Sequence, residues 1–199
     1  MLVSEDVYIQ SGIHIGSSFL ASGAIKPYIQ YRRKDKVYII DINKIDQKIT
    51  EIINTLLKYP LEEILIVANR YYPKIALTKF QKLFPQVNVV LGRYVPGTIS
   101  NPQIKGFIEP SIILSTDPNT DKELIKEAKK MNIPILGLAD TDTKNIAMLD
   151  NYVVMNNRGK KSTALFFWLL AREAYMKTNK IKDYSEFKIP ISYFEELES

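Results

Sequence analysis

The stretch Ile64-Leu65-Ile66-Val67-Ala68 is apolar at five consecutive positions and is followed by the polar pair Asn69 and Arg70. A strand that faces solvent on one side alternates apolar and polar residues, whereas a strand of a parallel sheet is covered on both faces and is apolar throughout. Residues 64–68 therefore predict a central parallel strand. Because parallel strands are joined by crossovers, helices are expected on both sides of this stretch in the chain.

Similar apolar runs recur along the chain and alternate with stretches of helical period. Strands are predicted at 37–41, 64–68, 87–91, 111–115, 134–138 and 152–155. This alternation predicts the α/β class: a single three-layer domain with a central, mostly parallel sheet flanked by helices, of the flavodoxin-like or Rossmann-like kind.

Four helices are predicted between and after these strands. Residues 43–59 place isoleucine and leucine on one helical stripe, with Asn43 as the cap, and residues 73–84 begin with a proline at a first-turn position. Asp121 is expected to cap a short helix that ends at Lys130, and residues 162–177 form a strongly apolar helix.

Length and composition fit one domain. The chain has 199 residues, of which 46% are hydrophobic and 25% charged. We expect the domain to span residues 1–182 and residues 183–199 to form a C-terminal arm, with a short acidic end at Glu195, Glu196 and Glu198.

The chain has no cysteine, which excludes disulfides and thiolate metal sites, and no apolar run is long enough for a membrane helix. A cytoplasmic location is expected.

The charge balance favours a polyanionic partner. The chain carries 27 Lys and Arg against 22 Asp and Glu, for a net charge of +5. Residues 1–110 hold 14 basic and 9 acidic side chains, so the excess lies in the first half. Local clusters of cations occur at residues 26–36 and 158–161, and the second of these has no acidic residue nearby in the sequence.

Three segments suit nucleic-acid binding. Tyrosines and cations interleave at residues 28–34, a mixture that stacks on bases and neutralises phosphates, although a solvated surface hairpin explains this run equally well. Residues 156–162 gather amides, cations and a hydroxyl group at a helix N-terminus, which favours anions. The connection 92–110 contains three Pro and three Gly and has no helical period, which is typical of a functional loop.

Residues that could support catalysis are few. His14 is the one histidine of the chain, which excludes a two-histidine zinc motif, and we expect it to be a hydrogen-bonded structural residue. The run 158–162 resembles the end of a phosphate-binding loop, but Val154 stands where that motif requires glycine. Asp140 and Asp142 follow the strand at 134–138, where α/β folds place ligand sites, yet a role in shaping the loop is favoured. No catalytic residue, metal ligand or cofactor is predicted.

Six segments carry, in order, the pattern of one known family. They are GIHIG at 12–16, IKPYIQYRRKDKVYIIDINK at 25–44, LGRYVPGTISNP at 91–102, a Thr-Asp-Pro loop at 116–118, IPILGLADTDT at 133–143 and VVMNNRGKKSTALFFWLLARE at 153–173. The chain thereby resembles the small-subunit ribosomal protein S-two family in its archaeal and eukaryotic type, which includes laminin-receptor-precursor-like proteins. The resemblance implies an α/β domain and a structural, rRNA-binding role without enzymatic activity. It also implies that the helical hairpin inserted in bacterial members is absent.

The resemblance and the basic loops together define the expected function. We expect a structural constituent of the small ribosomal subunit that binds folded rRNA and supports subunit assembly and translation. Its expected partners are small-subunit rRNA and neighbouring ribosomal proteins, with no membrane, cofactor or small-molecule substrate. The candidate RNA-binding residues are Lys26, Tyr28, Arg32, Arg33, Lys34, Arg93, Thr98, Asn101, Asn156, Asn157, Arg158, Lys160 and Lys161.

Two alternatives from other classes remain open at this stage. A small-molecule-binding α/β enzyme would use Asp140 and Asp142 at the carboxyl end of a strand. A protein–protein adaptor would dock a partner on its acidic end and on the aromatic residues of the arm, which are Tyr184, Phe187, Tyr193 and Phe194.

Overall fold

The computed structural model describes residues 1–196. In this part of the chain the strands are β1 (Ile29–Arg32), β2 (Tyr38–Ile40), β3 (Ile64–Ala68), β4 (Asn88–Leu91), β5 (Ile112–Ser115), β6 (Ile135–Ala139) and β7 (Asn151–Val154). The α-helices are α1 (Glu5–Ser11), α2 (Ile42–Leu56), α3 (Tyr71–Leu83), α4 (Lys122–Lys130) and α5 (Lys160–Lys177).

The central sheet contains five parallel strands in the order β4-β3-β5-β6-β7. The chain adds β4 on one side of β3 and then returns to add β5 on the other side. Because crossovers are right-handed, α3 and α4 consequently lie on opposite faces of the sheet. Helix α5 packs against α3 and α2 and completes one outer layer. The predicted three-layer α/β architecture is confirmed.

Burial explains the consecutive apolar runs. Every residue of β3, β5 and β6 is buried, because helices cover both faces of these strands. Helix α5 is apolar on most of its circumference, since it also lies beneath the C-terminal segment, and it buries Phe166 and Phe167 completely. Within residues 1–196, no helix is both long and apolar enough to cross a membrane.

The strand predicted at 37–41 forms, but it lies outside the parallel sheet. Strand β2 pairs antiparallel with β1, a strand that the apolar pattern did not predict. Only residues 33–37 connect the two strands, which suffices for a turn and is far too short for a parallel crossover. The backbone N–H of Arg33 donates to the carbonyl of Val37 at 2.8 Å and closes the turn. Lys36 adopts a left-handed backbone conformation in this turn.

Two predicted helix starts differ in detail. Asp41, and not Asn43, is the N-cap of α2, and its carboxylate accepts the backbone N–H of Asn43 at 2.9 Å. Asp121 precedes α4 as predicted, but its side chain makes no capping bond and instead accepts the hydroxyl of Ser115 at 2.7 Å. The carboxylate reaches back to the end of β5 because the loop between them is short.

The C-terminal segment folds back onto the domain. Phe187 packs edge-to-face on Trp168 with ring centroids 5.7 Å apart, and Phe194 is buried. The indole N–H of Trp168 donates to the carbonyl of Ile189 at 2.6 Å. These aromatic side chains therefore stabilise the chain's own core, which leaves the adaptor hypothesis without Phe187 and Phe194. The boundary after residue 182 stays a prediction, and Glu198 lies outside the described residues.

Candidate nucleic-acid interface

The predicted RNA-binding segments start from one edge of the sheet. Parallel strands have their carboxyl ends on the same side, so the loops after β3, β4, β5, β6 and β7 form a common surface, here called the carboxyl edge. The candidates at 93–101 and 156–161 follow β4 and β7 directly. The sheet topology therefore places the starts of these two segments at the same edge, on its two outermost strands.

The β1–β2 hairpin is attached to the same edge by the segment 12–22. The N–H of Ser17 donates to the hydroxyl of Thr141 at 2.8 Å, and the N–H of Gly16 donates to the carbonyl of Tyr38 at 2.9 Å. A Cβ on Gly16 would lie 2.6 Å from the methyl group of Thr141, so this close approach requires glycine. The GIHIG motif thus joins the hairpin to the loop after β6.

The tip of the hairpin presents cations to solvent. Arg33 and Lys34 are exposed, and Arg33 pairs with Asp35 at 3.1 Å while both side chains stay about half exposed. Tyr31 is 54% exposed. Arg32 differs from these residues, because its Nε donates to the carbonyl of Lys36 at 3.0 Å and thereby stabilises the turn.

The other two candidates near the hairpin have different environments. Lys26 is exposed on a 3-10 turn over Gly23–Tyr28. The ring of Tyr28 is half-buried and packs at 5.8 Å from the ring of Tyr152, which lies on β7. Lys26 is therefore available to a ligand, whereas Tyr28 contributes to the attachment of the hairpin to the sheet.

The loop after β4 is held in shape by a glutamate on α4. The carboxylate of Glu127 accepts the N–H of Gly97 at 2.9 Å and the hydroxyl of Ser100 at 2.5 Å. Burial alone would raise the pKa of Glu127, but these hydrogen bonds outweigh burial and lower its pKa. Gly97 has φ +95°, and a Cβ there would lie 2.5 Å from Ile104, so only glycine fits this turn.

The three candidates on this loop divide into two groups. Arg93 and Asn101 are exposed. Thr98 is only 8% exposed, and its hydroxyl donates to the carbonyl of Val95 at 2.6 Å. Arg93 and Asn101 can therefore meet a ligand, while Thr98 maintains the local turn.

Asn157 is predicted from the sequence as a direct RNA contact, but the structure places it in the interior. Its side chain is fully buried, and its amide donates to the carbonyls of Thr116 at 3.1 Å and Leu138 at 2.8 Å. It joins the ends of β5 and β6 to the loop after β7. Because the amide is enclosed by protein, Asn157 cannot touch RNA in this conformation, and its role is to shape the loop.

The remaining residues of this segment are partly engaged with acids. Asn156 accepts the N–H groups of Arg158 and Gly159 at 3.1 and 3.0 Å. Arg158 pairs with Asp142 at 2.5 Å, and Lys160 pairs with Glu196 at 3.0 Å, although no acid is close in the sequence. The cluster is therefore less positive than its sequence indicates. Lys161 is exposed.

The two carboxylates of the enzyme hypothesis point to different partners. Asp140 is 3% exposed and accepts the N–H of Thr141 at 2.6 Å, and burial raises the pKa of Asp140 to about 6. Asp142 is bound to Arg158. Within residues 1–196, no three His, Asp or Glu side chains are grouped as a metal site requires. Both carboxylates thus bind groups of the carboxyl edge itself.

His14 lies in a partly buried position beside the backbone of Tyr8. Burial lowers the pKa of His14, which favours the neutral ring at pH 7.

The contact of Glu127 with the loop after β4 was not predicted from the sequence. Glu127 lies 30 residues from the Gly97 N–H that it binds, on a helix that looks like an ordinary charged surface. Nothing in the local sequence marks it. The exposed tyrosines at 71 and 72 were also not singled out, although two adjacent aromatic residues shortly after a buried strand are visible in the sequence.

The fold and these loops define an α/β protein that presents cations from one edge of a parallel sheet. The family model for ribosomal protein S2 matches residues 107–176. The small ribosomal subunit protein uS2 of Picrophilus torridus is 40% identical over 98% of this chain and 96% of its own length. The uS2 protein of Nanoarchaeum equitans is 40% identical over 98% of this chain and 95% of its own length. The uS2 protein of Saccharolobus solfataricus is 35% identical over 98% of this chain and 83% of its own length. The chain belongs to the ribosomal protein S2 family.

Proposed function

We propose that this chain is a structural constituent of the small ribosomal subunit in the cytoplasm, where it binds folded rRNA and contacts neighbouring ribosomal proteins. The observation that carries the proposal is the match to small-subunit proteins over 98% of the chain. The distribution of cations supports it independently, because the exposed basic residues of the hairpin and of the loops after β4 and β7 belong to one side of the molecule.

The proposed mechanism is electrostatic. Lys26, Arg33, Lys34, Arg93 and Lys161 are exposed and would neutralise phosphates, which releases counterions from the RNA and makes binding depend on salt. These contacts fix position and orientation and carry little sequence information.

A second group of residues would act indirectly by giving the loops their shape. Arg32 closes the hairpin turn, Thr98 and Glu127 hold the loop after β4, and Asn157 ties the loop after β7 to the sheet. Loops that are already ordered lose less conformational entropy when they bind a rigid RNA surface. The specificity for one rRNA site would therefore depend on loop geometry as much as on charge.

The hairpin tip is the sharpest place to test the proposal. In the double variant Arg33→Ala with Lys34→Ala, we expect weaker incorporation into small subunits. The slope of log affinity against log salt should fall by roughly 1.5 for two lost phosphate contacts. The measurement is cosedimentation with small subunits on sucrose gradients at several salt concentrations, combined with binding to small-subunit rRNA.

A matched control removes the same charge from the opposite edge. Lys58 follows the end of α2 and Lys177 ends α5, and both are exposed. These helices run antiparallel to the strands, so their C-terminal ends lie away from the carboxyl edge, and the two ends border the same cleft there. The variant Lys58→Ala with Lys177→Ala should bind as the wild type does. Equal losses in both double variants would contradict the assignment of the hairpin, and a wild-type chain that never sediments with subunits would contradict the function itself.

A further inference from the structure

Two adjacent tyrosines on the carboxyl edge have no role in the core. Tyr71 and Tyr72 begin α3, directly after β3, and are 67% and 40% exposed. Their rings meet edge-to-face with centroids 5.3 Å apart. Burial of an aromatic ring is a large stabilising contribution, which Tyr71 mostly lacks and Tyr72 has only in part. Folding of the domain therefore does not explain why two large rings stand together at this position.

A cation begins the helix that packs against α3. Lys160 begins α5, which packs against α3, and both helices begin at the carboxyl edge of the sheet. Lys160 also binds the carboxylate of Glu196 at 3.0 Å, and Glu196 is 77% exposed. We call Tyr71, Tyr72 and Lys160 the tyrosine patch. The contact with Glu196 shows that Lys160 can bind an anionic group at this edge.

The contact between Lys160 and Glu196 is easily exchanged. An ion pair this exposed is weakened by water and salt, so a phosphate group can compete for the same ammonium. Glu196 belongs to the C-terminal segment, whose Phe194 is anchored in the core. The carboxylate is therefore kept near Lys160 and competes with any incoming phosphate at a high local concentration.

We propose that the tyrosine patch is a further RNA contact, which takes one unpaired nucleotide by stacking its base on the tyrosines and by binding its phosphate to Lys160 in place of Glu196. A nucleotide is the ligand that needs both an aromatic surface and an adjacent cation. The loops that carry the other basic candidates lie on the same edge of the sheet. The inference rests on the proposed function, because it requires that this edge faces RNA.

Crosslinking separates this inference from the proposed function. Small subunits are assembled with the full chain and with rRNA that contains 4-thiouridine, irradiated, and digested for mass spectrometry. We expect crosslinks in the peptide that contains Tyr71 and Tyr72 as well as in the hairpin peptide. Crosslinks in the hairpin alone would overturn the tyrosine patch and leave the proposed function intact. A chain that fails to enter the subunit would overturn both.

Binding of a short oligouridylate, followed by fluorescence anisotropy, tests the chemistry. Replacing Tyr71 and Tyr72 by alanine should weaken binding about tenfold, whereas replacing both by phenylalanine should preserve it, because the stacking surface remains. Glu196→Gln should strengthen binding a few-fold, and Glu123→Gln, an exposed change on α4, should leave it unchanged. An alanine variant that binds as the wild type does, or a Glu196→Gln variant without a gain, would overturn the proposal.

Discussion

Replacing Glu127 by alanine should loosen the loop after β4 while the domain stays folded. The Glu127 carboxylate accepts the Gly97 N–H at 2.9 Å and the Ser100 hydroxyl at 2.5 Å. Hydrogen bonds to a charged group contribute about 1.5–3 kcal/mol each, and the partial exposure of Glu127 argues for the lower end, or about 3 kcal/mol for the two. At about 1.4 kcal/mol for each factor of ten, the loop should open roughly a hundredfold more often.

Amide hydrogen exchange measures this opening directly. The N–H of Asn101 donates to Gly97 and the N–H of Ile108 donates to Thr98, both at 2.9 Å, so these amides report the closed loop. In Glu127→Ala their protection should fall by about a hundredfold, while the amides of β3 keep theirs. The control is Glu123→Ala on the same helix, where the lost carboxylate pairs with the exposed side chain of Lys126.

The pH dependence supplies an independent check. Because the pKa of Glu127 is lowered by the fold, its contribution is complete above its ordinary value of 4.5 and is lost as the pH falls through the lowered value. Protection of the loop should therefore decrease on acidification below about pH 4.5 in the wild type and stay flat in Glu127→Ala. Unchanged protection in that variant, or an equal loss in Glu123→Ala, would refute the reasoning.

Two further predictions concern buried polar groups. Asn157→Ala leaves the carbonyls of Thr116 and Leu138 without their donor and should lower the free energy of unfolding, measured by urea denaturation, by about 2–4 kcal/mol. The control Lys161→Ala should change the free energy of unfolding by less than about 0.5 kcal/mol. Similar values for the two variants would contradict a structural role for Asn157. Burial raises the pKa of Asp121 from 3.8 to about 7, so the folded protein holds a proton that the unfolded chain releases, and its stability is penalised as the pH rises through this window. The stability of Asp121→Asn relative to the wild type should therefore increase between pH 5 and pH 8. Asp150→Asn should show no such gain, because hydrogen bonds from Ile135 and Lys129 outweigh burial and lower the pKa of Asp150. A constant stability difference for Asp121→Asn over that range would contradict the raised pKa of Asp121.

Much of the candidate site was accessible from residue type alone. Arg33, Lys34, Arg93 and Lys161 were predicted as RNA contacts from charge, and all are exposed in the structure. Their contact with RNA stays a prediction. Asn157 was grouped with them because its sequence neighbours are polar and basic, yet it is buried, since a side chain's direction at the end of a strand depends on which strands lie beside it.

The amino-acid sequence by itself determined the strands of the central sheet, its parallel character and its helical layers. These properties follow from burial on both faces, which leaves a local pattern such as that of residues 64–68. Only the tertiary structure decided that β2 joins a hairpin, that Arg158 and Lys160 have acidic partners, and that Glu127 holds a loop 30 residues away. Such pairings depend on how loops from separate strands converge at the carboxyl edge, and that convergence leaves no periodic trace in the chain.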